Sequence, residues 1–120
     1  MPTYEFKSCN PTALGTLQDL NNRSCVVLTD GYEFVSVSCE LLSGSFSSSK
    51  LTIQRGDSLI GPWFDFDTAV HLDSANQHTG MVAVSSRYIR ISVGTAFSAG
   101  ARVDVVVFVG SGNQTTLATT

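Results

Sequence analysis

Two carboxylates beside an aromatic cluster are the most chemical feature of this 120-residue chain. In Trp63-Phe64-Asp65-Phe66-Asp67 the acids stand two apart, so on a strand they share one face. Glycoside hydrolysis asks for carboxyls flanking a bond, one of them held protonated by burial. A calcium loop asks for more oxygen ligands and glycines than stand here, even with Asp73 added. An exposed strand face, with Trp63 plugging the core, accounts for the same residues without either chemistry.

His71 and His78 are the only histidines, and no Cys, Asp or Glu beyond Asp73 lies near them at metal-ligand spacing. Ser, His and Asp all occur, but the Gly-x-Ser-x-Gly nucleophile elbow does not. Glycine motifs that cradle phosphates or dinucleotides are missing too. The expectation is no catalytic residue, no metal and no cofactor. Arg55-Gly56-Asp57 spells the integrin-binding tripeptide at a strand-to-loop junction and is read as coincidence. Asn22-Arg23-Ser24 and Asn113-Gln114-Thr115 fit the glycosylation pattern. The opening Met1–Glu5 has neither a charged nor an apolar signal region, so secretion is not expected.

Cys9, Cys25 and Cys39 are odd in number and widely spaced, which argues against a disulfide framework or a zinc knuckle. Cysteines in apolar runs behave as small core hydrophobes, and free thiols fit a reducing compartment of synthesis. A Cys25–Cys39 bridge stays open, because adjacent strands bring such residues within reach.

These residues must be positioned by strands. Thirteen valines and four isoleucines stand against three glutamates and two lysines. β-Branched residues favour strands, whereas Glu and Lys fill exposed helix faces. Gly and Ser punctuation at short intervals adds the signature of a sandwich. The expected fold is an all-β antiparallel β-sandwich, jelly-roll-like, with seven to eight strands.

Residues 1–23 read as an N-terminal arm. Asn10-Pro11 would cap a helical turn bearing Leu14, Leu17 and Leu20. The sandwich spans 24–109. Strands are expected over Ser24–Thr29, Tyr32–Leu42, Lys50–Arg55, Trp63–Asp67, Thr68–Leu72, Met81–Val84, Arg87–Val93 and Arg102–Val109. In the second, Val35, Val37, Cys39 and Leu41 point one way and Ser36, Ser38 and Glu40 the other. Asp30-Gly31 reads as a hairpin turn, Ser43–Ser49 and Asp73–Gly80 as loops. Val105-Val106-Val107-Phe108 is apolar on both faces, as in a central strand or one that meets a partner. Residues 110–120 read as a polar C-terminal tail.

Charged residues are only 14% of the chain, against about 25% in ordinary soluble domains. Such a surface suits coverage by another protein, or one on which Ser and Thr replace charge as the solvating groups. The net charge of -3, with no basic run, argues against nucleic acid. No apolar run approaches the ~20 residues of a membrane helix.

The runs Lys50-Leu51-Thr52-Ile53-Gln54-Arg55-Gly56-Asp57, Gly61-Pro62-Trp63-Phe64-Asp65-Phe66 and Ser86-Arg87-Tyr88-Ile89-Arg90-Ile91-Ser92-Val93 carry a resemblance. A strand ends in a turn, a tryptophan starts the return strand, and an Arg-Tyr-x-Arg strand crosses the core. The pattern resembles small β-sandwich virion structural proteins of tailed bacteriophages, the capsid decoration (cement) type. It also resembles discoidin-like carbohydrate-binding modules, whose terminal cysteines this chain lacks. The first resemblance implies a capsid decoration protein made in the host cytoplasm and carried in the virion. Its partners would be the major capsid protein and further copies of itself, a trimer being favoured. Val106, Phe108, Leu14, Leu17 and Leu117 are the expected partner-binding residues. The second implies a tail or fibre module that binds glycan through Trp63, Tyr88 and Asp65. A head-to-tail or tail component is a third reading.

Overall fold

The computed structural model describes residues 3–46, 49–73 and 76–111, with the backbone alone at 67–71. Ten strands occur: β1 (Thr3–Cys9), β2 (Gly15–Thr16), β3 (Val26–Leu28), β4 (Phe34–Ser43), β5 (Lys50–Gly56), β6 (Phe64–Leu72), β7 (Asn76–His78), β8 (Val82–Ala83), β9 (Tyr88–Thr95) and β10 (Arg102–Gly110). No helix is present among the described residues. One sheet has the order β1-β10-β4-β7, with β8 also on β4; the other has β2-β9-β5-β6, with β3 also on β9. All pairings are antiparallel.

Four of the ten are halves of two interrupted strands. Thr16 pairs with Ser92 and Val26 with Arg90, so β2 and β3 follow one line along β9. Between them the chain makes an excursion over 18–24, and Cys25 N–H rejoins the line by donating to Leu17 O at 2.8 Å. β7 and β8 likewise share the edge of β4. At the interruption Thr79 Oγ1 accepts from Val37 N–H at 3.0 Å, standing in for a main-chain acceptor. Joining each pair leaves eight strands in two four-stranded sheets, the jelly-roll arrangement of a sandwich.

The core lies between the sheets, where alternating residues of both meet. From the first sheet come Val35 and Val37 of β4 with Val103, Val105, Val107 and Val109 of β10. Leu51, Ile53, Ile89, Ile91 and Val93 face them from the second. Phe46 and Phe97 close one end with rings 4.8 Å apart, edge to face. β10 is central, flanked by β1 and β4, and of its apolar run Val105 and Val107 face the core while Val106 and Phe108 face outward.

Several sequence expectations are corrected. Strands begin at Thr3, and β1 pairs with β10 rather than forming part of an arm. The helical turn is replaced by β2 and the excursion, because Leu17 is drawn wholly into the core. Asp19 holds the excursion closed: its carboxylate accepts from Asn21 N–H, Arg23 N–H and Arg23 Nε at 2.8–2.9 Å. Asp30-Gly31 is not a hairpin turn; Gly31 (φ 89°) carries the chain from β3 to β4, which lie in different sheets. Part of the expected 73–80 loop is β7. The two strands expected between Trp63 and Leu72 are one, β6, with a register shift: Ile53 pairs with Val70 and Gln54 with Asp65. Cys25 is not bonded to Cys39; all three cysteines are free and buried. Gly110 ends β10, and Leu117, with the rest of 112–120, lies outside the described residues.

Candidate binding surfaces

Each sheet presents one outer face. On the first, β10 turns Asp104, Val106 and Phe108 outward, half-buried by their neighbours. Register builds their surroundings. Phe108 lies between Thr3 of β1 and Ser36 of β4, and Val106 between Glu5 and Ser38. Short or polar neighbours leave the two apolar side chains standing at the middle of the sheet.

Toward the other end of β10 the face turns polar. Lys7, Ser38, Glu40, Asn76, His78, Asp104 and Val106 border a shallow depression of about 400 Å³. Asp104 is anchored there: one oxygen accepts from Ser8 N–H at 2.8 Å and the other lies 3.7 Å from Lys7 Nζ. An apolar centre beside a charged rim is the anatomy of a protein-docking surface.

The outer face of the second sheet is ordered in rows. Leu28, Tyr88 and Gly56 are register partners across β3, β9 and β5. The next row is Val26, Arg90, Gln54 and Asp65, and the third holds Thr16, Ser92 and Thr52. Glycine is needed at 56 because the Trp63 indole occupies the space: a Cβ there would stand 2.9 Å from Trp63 Cε3 and from Pro62 O. Trp63 is thus half-buried on the sheet, not in the core.

A hydrogen-bond chain runs along the second row and reaches Thr16 of the third. Arg90 Nη1 donates to Thr16 Oγ1 at 2.8 Å and Arg90 Nε to Gln54 Oε1 at 2.8 Å. Gln54 Nε2 then donates to Asp65 Oδ1 at 3.0 Å. The Arg90 guanidinium also covers the Trp63 ring, 5.2 Å from its centre, while Arg87 covers Tyr88 at 5.8 Å. Burial lowers the Arg90 pKa below the usual arginine value, and arginine remains charged at neutral pH. Aromatic rings beside a fixed row of donors and acceptors can hold a ligand that is apolar on one side and hydroxylated on another.

The structure therefore brings Trp63, Tyr88 and Asp65 onto one face, and Val106 and Phe108 onto the opposite one. Leu14 is 70% exposed, whereas Leu17 is wholly buried and cannot contact a partner. The side chains of Asp67 and His71 lie outside the described residues. His78 serves the fold, its Nδ1 accepting from Gly80 N–H at 3.0 Å. No group of three or more His, Cys, Asp or Glu gathers as metal ligands among the described residues. Arg55-Gly56-Asp57 does not form a loop apex: Arg55 and Gly56 belong to β5, Gly56 is buried, and Asp57 accepts from Arg87 N–H at 3.3 Å.

Arg90, Gln54 and Thr16 escaped the sequence reading. Gln54 and Arg90 both stand in the distinctive runs, yet only the β5–β9 register makes them neighbours. The exposed loop tip of Leu59 and Ile60 was also missed; Ile60 is 91% exposed, and Leu28 and Phe64 add apolar surface at that end of the sandwich. Searches of protein-family models, curated proteins and solved structures find no match to the chain.

Proposed function

We propose that this chain is a bacteriophage virion structural protein, a capsid decoration protein that binds the outer shell and stabilises it by adhesion. The observation that carries the reading is the outer face of β10, with Val106 and Phe108 at its centre and charged groups at its rim. Burying those two side chains on a shell supplies affinity at roughly 25 cal/mol per Å² of apolar area. The rim charges, Lys7, Glu40 and Asp104, set orientation more than strength.

Three further features support it. Jelly rolls serve widely in viral capsids and lectins, although fold alone does not assign function. Large apolar side chains are exposed at Leu14, Leu20, Leu28, Leu59, Ile60 and Phe64, on a chain poor in charge. β1 and β10 lie side by side in the first sheet, Thr3 pairing with Phe108, so one continuous face carries both. Copies grouped around a symmetry axis of the shell, three being the favoured number, would bind it together more tightly than one. The test mixes purified protein with capsid shells assembled without it. Co-sedimentation and a raised shell disruption temperature are expected; shells that neither bind it nor gain heat resistance refute the proposal.

A second reading rests on the opposite face. The Trp63 ring, the Arg90–Gln54–Asp65 chain and Tyr88 together suit a carbohydrate, as on a tail or fibre. The chain has a single tryptophan, so its emission reports directly. A saturable change in Trp63 fluorescence with host-surface glycans favours this reading; no response across the glycans excludes it.

A further inference from the structure

Cys9 ends β1 and Cys25 opens the line of β3, so the two residues belong to opposite sheets. Their sulfurs are 4.0 Å apart, and both side chains are wholly buried. This is the one thiol–thiol contact among the described residues; Cys39 lies on β4, in the same sheet as Cys9 with β10 between them. A disulfide needs about 2.05 Å between sulfurs, so the gap to close is about 2 Å, within the reach of side-chain rotation.

We propose that Cys9 and Cys25 form a latent inter-sheet disulfide, kept as thiols in a reducing compartment and joined when the protein meets a low-molecular-weight disulfide. One cysteine thiolate attacks the small disulfide and expels one small thiol, leaving a mixed disulfide on the protein. The second cysteine attacks the protein sulfur of that mixed disulfide and expels the other small thiol. The two protein thiols give up two electrons and two protons, and the small disulfide is reduced to two thiols.

The closed fold resists this reaction. The hydrogen bond to Cys9, together with burial, pushes the Cys25 thiol upward in pKa, and no solvent reaches either sulfur. Entry comes through the intervening segment. Residues 10–24 bury Pro11, Leu17 and Asp19, but their ladder is only a two-residue strand, isolated bridges at Gln18 and the Asp19 turn, and Leu14 and Leu20 stay exposed. Segments with so short a ladder open before the central strands. Once formed, the bond would staple that segment to both sheets, closing a loop of sequence separation 16. The inference stands independently of which surface binds what.

The test incubates the reduced full chain with oxidised glutathione, natively and in low urea that opens the segment. Remaining thiols are alkylated, and the product is mapped by non-reducing mass spectrometry. Before alkylation the oxidised monomer should be about 2 Da lighter than the reduced one, and after it the link should map to Cys9–Cys25 with Cys39 alone alkylated. Its Tm should exceed that of the reduced protein by about 5–15 °C. Cys39→Ser should react identically, and Cys25→Ser should give no intramolecular link. A bond through Cys39, only glutathione adducts, or no oxidation even in urea overturns the proposal.

Discussion

The guanidinium of Arg90 lies 5.2 Å from the centre of the Trp63 ring while donating to Gln54 on one side and Thr16 on the other. One side chain therefore ties β9 to β5 and to β2, and seats the indole at the start of β6. Four strands of the second sheet meet in this arrangement. Both faces of the sandwich owe their pattern to register of this kind.

Replacing Arg90 by Ala should leave Gln54 Oε1 and Thr16 Oγ1 without their donor and uncover the indole. Hydrogen bonds from a charged group and a cation–π contact together suggest a loss of about 1–3 kcal/mol. Urea unfolding followed by the single tryptophan measures it, and native emission should move to the red. An unchanged midpoint and spectrum would show that the contact carries no weight.

Gly56→Ala isolates the seat of the indole. The backbone at Gly56 is ordinary strand, so the effect is steric: the new Cβ meets Trp63 Cε3 and Pro62 O at 2.9 Å. A cost of about 1–3 kcal/mol is expected, as for overpacking elsewhere. The emission should again shift red. Wild-type emission with wild-type stability would contradict the packing described.

Leu17 and Leu14 separate the two accounts of the N-terminal segment. Leu17→Ala removes a wholly buried side chain and should cost about 2–5 kcal/mol, whereas Leu14→Ala should stay within about 0.5 kcal/mol. Equal effects from the two would mean that this segment is not part of the sandwich.

Asp19 gives the fold an acid-sensitive point. Burial pushes its carboxyl upward, but hydrogen bonds from Arg23 and the Asn21 N–H outweigh it, and the folded pKa lies below the ordinary 3.8. Its contribution is therefore present above the ordinary carboxyl range and is lost as pH falls through the lowered folded value. Stability measured from pH 6 downward should decline, and Asp19→Asn should be less stable near neutrality with a shallower acid decline. A variant with the wild-type acid profile would remove Asp19 from the account.

The regular strands were legible because their alternation is unbroken. Val35, Val37 and Cys39, Ile89, Ile91 and Val93, and Val103, Val105, Val107 and Val109 of β10 all face the core as their spacing indicates. The interrupted strands were not. A period of two cannot be read across the excursion at 18–24 or the break at 79–81, and Leu14, Leu17 and Leu20 imitate helical spacing. Pairing with β9 overrode that local pattern. On the binding faces, aromatic and acidic residues announced themselves by type. Arg90 and Gln54 did not, since polar residues on an alternating strand look like ordinary solvent-facing positions until register sets them side by side.

The central claim is that the β10 face docks on a shell. Its most direct test is co-sedimentation of variants with shells assembled without the protein. The double variant Val106→Ser with Phe108→Ser should fold, because both positions are only half-buried. It should bind about ten- to hundredfold more weakly, the scale of losing about 1.5–3 kcal/mol of apolar burial. Asp65→Asn, on the opposite face, should bind like wild type. Undiminished binding by the double variant, or loss with Asp65→Asn instead, would contradict the account.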